Sequence, residues 1–176
     1  MPCSPNLWPA TRREPARAGS RVAPKALTGV VHRATFGAAM STSIHASCVE
    51  LDGVGILLRG PSGMGKSDLA LRLIDGGARL VADDRVALEA GNGGLYARAP
   101  DALLGLIEVH GLGLRRLPAL KRARLGLVAD LVDAALVERM PEEDLHCTLE
   151  GVALPLVRLC PFEPSAPAKL RLAAAS

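Results

Sequence analysis

The chain has 176 residues and a formal net charge of +3, a length that favours one domain able to bury about 70% of its unfolded surface. Aromatic residues make up only 2% of the composition, which argues against a base-stacking surface for single-stranded nucleic acid. Basic charge is concentrated in residues 1–40, and the remaining residues are nearly neutral. Since the chain also lacks an apolar run long enough to span a membrane, we expect neither nucleic acid nor membrane as a partner.

Residues 1–40 are rich in Pro, Arg, Ala and Ser and show no periodicity. We expect a disordered basic extension, or a mis-set start codon with Met40 as the first residue, rather than a targeting segment. Residues 41–176 then form the folded domain. Four cysteines show no metal-ligand spacing: Cys3, Cys48, Cys147 and Cys160. We therefore expect reduced thiols in a cytoplasmic protein.

The first predicted element is a β-hairpin. Residues 44–51 alternate loosely between apolar and polar and predict a strand. Asp52 and Gly53 form a hairpin turn signal, and residues 54–58 are an apolar run typical of a buried strand. The strand that enters the following loop is therefore expected to run antiparallel to the strand before it.

A glycine-rich loop with the spacing G-x-x-x-x-G-K-[ST] follows this strand. Its residues are Gly60, Pro61, Ser62, Gly63, Met64, Gly65, Lys66 and Ser67. Glycines let successive N–H groups surround a phosphate, and the helical spacing of residues 68–74 places a helix N-terminus at the same anion. Lys66 can reach the β- and γ-phosphates and Ser67 can ligate Mg²⁺, so we expect a nucleotide site; a glycine turn that binds nothing is the alternative.

Two adjacent carboxylates end the next predicted strand. The helix stops at Gly76 and Gly77, and residues 78–84 predict a strand that closes with Asp83 and Asp84. Strand ends beside a phosphate loop are where ligands bind in open α/β sheets. One carboxylate can orient Mg²⁺ or its water, and the other can accept a proton from an attacking hydroxyl. The residues leave open which does which, and a solvated strand cap is the alternative.

The rest of the chain predicts further strands and short helices. The first of these are a hairpin of 86–89 and 95–98 and a short helix at 100–105. Strands at 107–110 and 125–132 follow, with a basic loop at 115–124 between them. The last are a polar loop at 137–144, a proline-broken edge strand at 152–159 and a helix at 168–174. Glu108 is unusual inside an apolar strand beside a double-glycine turn; an outward-facing strand residue is the alternative.

Three segments, in this order and at matching spacing, resemble bacterial HPr kinase/phosphorylase: G-P-S-G-M-G-K-S at 60–67, R-L-V-A-D-D at 79–84 and I-E-V-H-G-L-G-L at 107–114. The similarity covers residues 41–160, the family's catalytic domain, and is to the short alphaproteobacterial form. It implies an α/β fold, a P-loop nucleotide-binding domain with a mixed β-sheet and a PEP carboxykinase-like core. It also implies an ATP- and Mg²⁺-dependent serine kinase of HPr, or of a nitrogen-type paralogue, in phosphotransferase-system regulation.

The resemblance assigns roles to single residues. Loop 60–67 would bind ATP, and Ser67 and Glu108 would hold Mg²⁺. Of the acidic pair, Asp84 is favoured as the general base. The catalytic residues that the resemblance implies are His45, Lys66, Asp83, Asp84 and Arg139.

The chain also departs from the family pattern. His110 stands where the family has an Arg, and the C-terminal motif tied to the phosphorylase reaction is not recognisable near residues 159–164, so the kinase reaction is implied more strongly than its reverse. The family's C-terminal helix is shortened here, and a hexameric homo-oligomer is an expectation from the resemblance alone. Two alternatives are a P-loop kinase of a small metabolite and a catalytically silent nucleotide-binding regulator.

Overall fold

The computed structural model describes residues 32–33, 42–91, 93–141 and 145–175. Within these ranges the strands are β1 (His32–Arg33), β2 (Thr42–Ile44), β3 (Ser47–Leu51), β4 (Val54–Arg59), β5 (Arg79–Ala82), β6 (Val86–Gly91), β7 (Gly94–Arg98), β8 (Leu106–Val109), β9 (Gly113–Arg116), β10 (Ala123–Leu131), β11 (His146–Leu149) and β12 (Val152–Leu159). The α-helices are α1 (Lys66–Asp75) and α2 (Ala166–Ala174). Apart from β1, the predicted basic extension lies outside the described residues.

Most of these strands form one mixed sheet in the order β1-β2-β6-β7-β10-β4-β3-β5, with β12 added to β10 and β11 added to β12. β4 lies inside the sheet, parallel to β10 and antiparallel to β3. The predicted antiparallel hairpin before the glycine loop is therefore confirmed, as is the mixed α/β architecture. β8 and β9 pair separately as a two-stranded hairpin. None of the helices in the described ranges is long and apolar enough to cross a membrane.

β4 is fixed in place by burial on both of its faces. Ile56 and Leu58 are fully buried in the cluster that also contains the apolar sides of α1 and α2, whereas Leu57 is buried in the cluster on the opposite face, as the two-residue period of a strand requires. A Cβ added at Gly55 would lie 2.6 Å from the Arg124 carbonyl oxygen, so glycine is needed where β10 approaches. The glycine loop therefore leaves a rigid strand.

The single strand predicted for residues 44–51 is wrong in one respect, because it is two strands. β2 pairs with β6, whereas β3 pairs with β4 and β5. The chain changes its sheet neighbours between them, at His45 and Ala46. Local alternation carries no information about such a change of partner. As a result, His45 lies in a bend rather than within a strand.

Three further boundaries differ from the prediction. β5 ends at Ala82, so the two carboxylates that follow lie in a turn. β9 occupies the start of the predicted basic loop because it pairs with β8. β12 is not broken at Pro155: the Leu156 N–H donates to the Leu145 carbonyl across 2.7 Å, and residues 156–159 pair with β10. The pairing partner at this point is β11, a strand that was not predicted.

Candidate active site

The loop between β4 and α1 has the backbone geometry of an anion cradle. Gly63 and Gly65 have φ values of 79° and 75°, a region that favours glycine. Gly65 is the N-cap of α1 and provides no side-chain cap, so the first N–H groups of the helix have no capping oxygen. Together with the positive end of the helix dipole, these N–H groups suit a bound phosphate.

Lys66 is buried at the start of α1, and its side chain reaches back to the first two residues of the loop. Its Nζ donates to the carbonyl oxygens of Gly60 and Pro61, at 2.9 and 2.8 Å. An ammonium has three N–H donors, so two fix the side chain across the loop and the third can meet an anion. Burial lowers the pKa of Lys66, and the charges of Asp83 and Asp84 oppose that shift. The ammonium and both carboxylates line the same cleft.

Asp83 is the buried member of the carboxylate pair, only 4% exposed. Its Oδ1 accepts from Ser47 Oγ at 2.6 Å and from Ser67 Oγ at 2.9 Å. Its Oδ2 accepts from the Glu108 N–H at 3.1 Å. One side chain thus joins β3, the end of the glycine loop and the β8–β9 hairpin.

Asp84 has a different environment from its neighbour. The Arg85 N–H donates to the Asp83 carbonyl at 2.8 Å, which closes a three-residue γ-turn around Asp84 at φ 64°. This conformation is rare, and it is typical of strained functional positions. The turn leaves the Asp84 side chain 65% exposed, with His45 Nδ1 3.0 Å from its Oδ1 and 3.0 Å from its backbone oxygen. The result is an accessible carboxylate whose orientation is set by His45.

These groups line one cleft of about 680 Å³. Of the residues singled out by sequence, the cleft is lined by His45, Ser62, Gly63, Gly65, Lys66, Ser67, Asp83, Asp84 and Glu108. Gly60 and Pro61 contact Lys66 from behind, and Met64 packs against the apolar core. Arg139 lines a second cleft of about 340 Å³ instead, so its catalytic role stays a prediction.

The cleft is also lined by residues that were not predicted to belong to the site: Ser47, Asp68, Leu71, Val109, His110 and Phe162. Of these, Ser47 and Phe162 stand out for their contacts. Ser47 is a fully buried serine that donates to Asp83; its only sequence signal was a hydroxyl within a strand. Phe162 also lines the cleft, although it follows Pro161 in a segment read as a loop. The only sequence feature that could have drawn attention to it is the rarity of aromatic residues, since the chain has two Phe, one Tyr and one Trp.

Among the described residues, the cleft contains few side chains that could bind Mg²⁺. Within the described ranges no cluster of three or more His, Cys, Asp or Glu side chains could hold a metal ion unaided. Ser67 and Glu108, which line the same cleft, offer a hydroxyl and a carboxylate. Mg²⁺ is commonly bound by one or two protein oxygens together with substrate phosphates. The residues present therefore fit Mg²⁺ bound with a nucleotide better than a dedicated metal site.

Comparison with known proteins agrees with this geometry. The family model of the HPr serine kinase C-terminal domain matches residues 37–160. The chain belongs to this family. The matched residues contain the glycine loop, both carboxylates and the β8–β9 hairpin.

Named relatives of the family share the same core. The chain is 36% identical to the HPr kinase/phosphorylase of Bordetella pertussis over 132 residues, which is 69% of this chain and 43% of that protein. It is 46% identical to the HPr kinase/phosphorylase of Clostridium beijerinckii over 76 residues, 43% of this chain and 25% of that protein. The chain therefore spans less than half the length of these curated relatives.

A solved structure extends the likeness to three dimensions. The chain aligns with the HPr(Ser) kinase/phosphatase of Coxiella burnetii at a TM-score of 0.65 and 26% identity, covering 74% of this chain and 91% of that one. The fold is thus that of a P-loop kinase domain with a PEP carboxykinase-like core, which confirms the predicted fold class.

Proposed function

We propose that this protein is an ATP- and Mg²⁺-dependent protein-serine kinase whose substrate is HPr or a closely related phosphocarrier protein. The observation that carries the proposal is the convergence of Lys66, Ser67 and the carboxylate pair in one cleft. Family membership and the names of the relatives support the substrate class. The described cysteines, Cys48, Cys147 and Cys160, are free thiols, which is consistent with action in the cytoplasm.

The glycine loop and Lys66 bind and orient the phosphates. Backbone N–H groups from Gly63 to Ser67 would hold the phosphate, and the remaining N–H donor of Lys66 can bond to it. ATP would supply the phosphoryl group that is transferred. Ser67 and Glu108 provide the oxygens for Mg²⁺, which would neutralise charge on that group. Positioning and charge stabilisation are the larger part of catalysis in phosphoryl transfer.

Asp84 is proposed as the general base, with Asp83 as a positioning residue. Both oxygens of Asp83 already accept hydrogen bonds from buried or partly buried donors, so it orients Ser67 and the β8–β9 hairpin. Asp84 is exposed to the cleft and oriented by His45, so its carboxylate can accept the proton of an attacking serine hydroxyl. The serine oxygen would form a bond to the γ-phosphorus while the bond from that phosphorus to the oxygen shared with the β-phosphate breaks, so that ADP leaves and the proton moves to Asp84.

A phosphorylase reaction on the phosphoserine product is proposed as a second activity of the same residues. The bond between phosphorus and the serine oxygen would break as inorganic phosphate takes up the phosphoryl group to give pyrophosphate, and protonated Asp84 can supply the proton that the leaving serine oxygen needs. The names of the relatives, kinase/phosphorylase and kinase/phosphatase, support this pairing of activities.

The proposal is tested by incubating the protein with γ-labelled ATP, Mg²⁺ and the HPr-type carrier of the same organism, and mapping the label. We expect phosphoserine on the carrier, and no label with the Lys66→Ala protein. Phosphohistidine on the carrier would overturn the proposal. Label on a small metabolite would indicate a metabolite kinase, and nucleotide binding without any transfer would indicate a silent regulator.

A further inference from the structure

Phe162 is an aromatic side chain in the cleft that the proposed chemistry does not use. It is 63% exposed and lines the same cleft as Lys66 and Ser67. A large apolar side chain left open to water beside a phosphate loop contributes little to the stability of the fold. Its location instead suggests contact with a ligand.

The ring of Phe162 lies next to Gly65 of the glycine loop. A Cβ added at Gly65 would be 3.0 Å from Cε1, 3.2 Å from Cζ and 3.8 Å from Cδ1 of the ring. Gly65 therefore has two reasons to be glycine, its φ of 75° and the closeness of the ring.

The backbone on both sides of the ring is bonded to α1. Arg72 donates to the carbonyl oxygens of Pro161 and, at 3.3 Å, Glu163. The Arg72 guanidinium is in turn oriented by Asp68, with 3.0 Å between Nε and Oδ2. Since α1 begins in the glycine loop itself, these bonds hold the backbone that carries the ring in place relative to the loop. Such preorganisation reduces the entropy that a ligand contact would otherwise cost.

The lining of the cleft contains both charged and apolar groups. The carboxylate Asp83 meets the helix at Ser67, whereas Phe162 meets the loop two residues earlier, at Gly65. Leu71, also on α1, adds a second apolar group to the lining. A nucleoside triphosphate combines the same two kinds of group, a charged phosphate chain and a flat aromatic base.

We infer that Phe162 is the platform on which the base of the nucleotide stacks while the glycine loop binds its phosphates. This inference rests on the proposed function, which supplies the nucleotide. Every base has a π-face, so stacking tolerates different bases. The platform therefore adds affinity for nucleosides over bare phosphate chains, and by itself distinguishes little between adenine and guanine.

The inference is tested by calorimetric titration of the full-length protein with Mg²⁺ and either ATP or inorganic triphosphate, which lacks a base. For Phe162→Ala we expect ATP affinity to fall about tenfold, within the range reported for loss of one base-stacking side chain, and triphosphate affinity to be unchanged. Phe162→Tyr should retain wild-type ATP affinity. Leu136→Ala is the matched control, because Leu136 is 64% exposed and lies outside the lining of the cleft.

A fluorescence measurement gives a second, direct readout. In Phe162→Trp, the added indole emission should be quenched by ATP and by GTP but not by inorganic triphosphate. Equal ATP affinities of Phe162→Ala and wild type, or equal losses for ATP and triphosphate, would overturn the inference. A protein that binds ATP through Phe162 but transfers no phosphate would overturn the proposed function alone. If Phe162→Ala weakens binding of the carrier protein and leaves ATP binding unchanged, Phe162 contacts the protein substrate and the inference fails.

Discussion

Replacing Asp83 by Asn tests whether this buried carboxylate joins the parts of the site. Its two oxygens accept from Ser47, Ser67 and the Glu108 N–H, at 2.6, 2.9 and 3.1 Å. An amide has one acceptor oxygen, so if that oxygen stays with the serines, the NH₂ group faces the Glu108 N–H. A buried donor left without an acceptor costs about 1–3 kcal/mol. For a chain of this size each kcal/mol lowers Tm by about 2–4 °C, so we expect a decrease of about 2–12 °C.

Thermal unfolding followed by circular dichroism measures this decrease, and the neighbouring residue provides a matched control. Asp84→Asn makes the same chemical change at a side chain that is largely exposed, and Asn tolerates a positive φ. Its free energy of unfolding should stay within about 0.5 kcal/mol of wild type. If the two variants unfold within 1 °C of each other, where about 1 °C is the resolution of the method, the assignment of Asp83 as the joining residue is wrong.

Three further predictions concern the loop and the stability of the sheet. Lys66→Ala should lose nucleotide-dependent turnover while its circular dichroism spectrum is unchanged, because burial already disfavours the ammonium and lowers its pKa; unfolding of the variant would contradict this. Gly65→Ala should lower the free energy of unfolding by about 1–2 kcal/mol because of the positive φ at this position. The added Cβ should cost further stability through its contact with the Phe162 ring, and in a double-mutant cycle Phe162→Ala should remove that second contribution. The hydrogen bond from Arg79 lowers the pKa of Glu50, so its stabilisation is present above the ordinary glutamate pKa and disappears as pH falls through the lowered value. Tm values of wild type and Glu50→Gln should therefore converge on acidification, and a constant difference would refute the pairing.

The parts of the site that lie close together in sequence were predictable. Residues 60–67 carry their own local signals, glycines for the backbone and a helix that begins at Lys66. The short connection from α1 to β5 brings Asp83 and Asp84 to the same edge of the sheet. Each of these inferences needs only the local chain and the rules of α/β connection.

The parts that depend on distant residues were not predictable. Ser47 bonds to a carboxylate 36 residues away, and His45 faces Asp84 across 39 residues. The γ-turn at Asp84 contains a positive φ at a residue that is not glycine, so the sequence gives no indication of it. Phe162 reaches Gly65 only because β12 and α2 return to the loop. Such contacts follow from the order of the strands in the sheet, which local periodicity does not encode. The hexamer expected from the family resemblance stays a prediction.

The role of Asp84 is tested most directly by comparing wild type and Asp84→Asn for two quantities on the same samples: nucleotide affinity, and the single-turnover rate of phosphate transfer to the carrier serine. We expect Asp84→Asn to bind ATP at least as tightly as wild type, since a negative charge that acts on Lys66 is removed. We expect transfer to be about 10²–10⁴-fold slower, the usual contribution of a positioned base. Transfer at the wild-type rate would contradict the claim that Asp84 and the glycine loop act on the same phosphate.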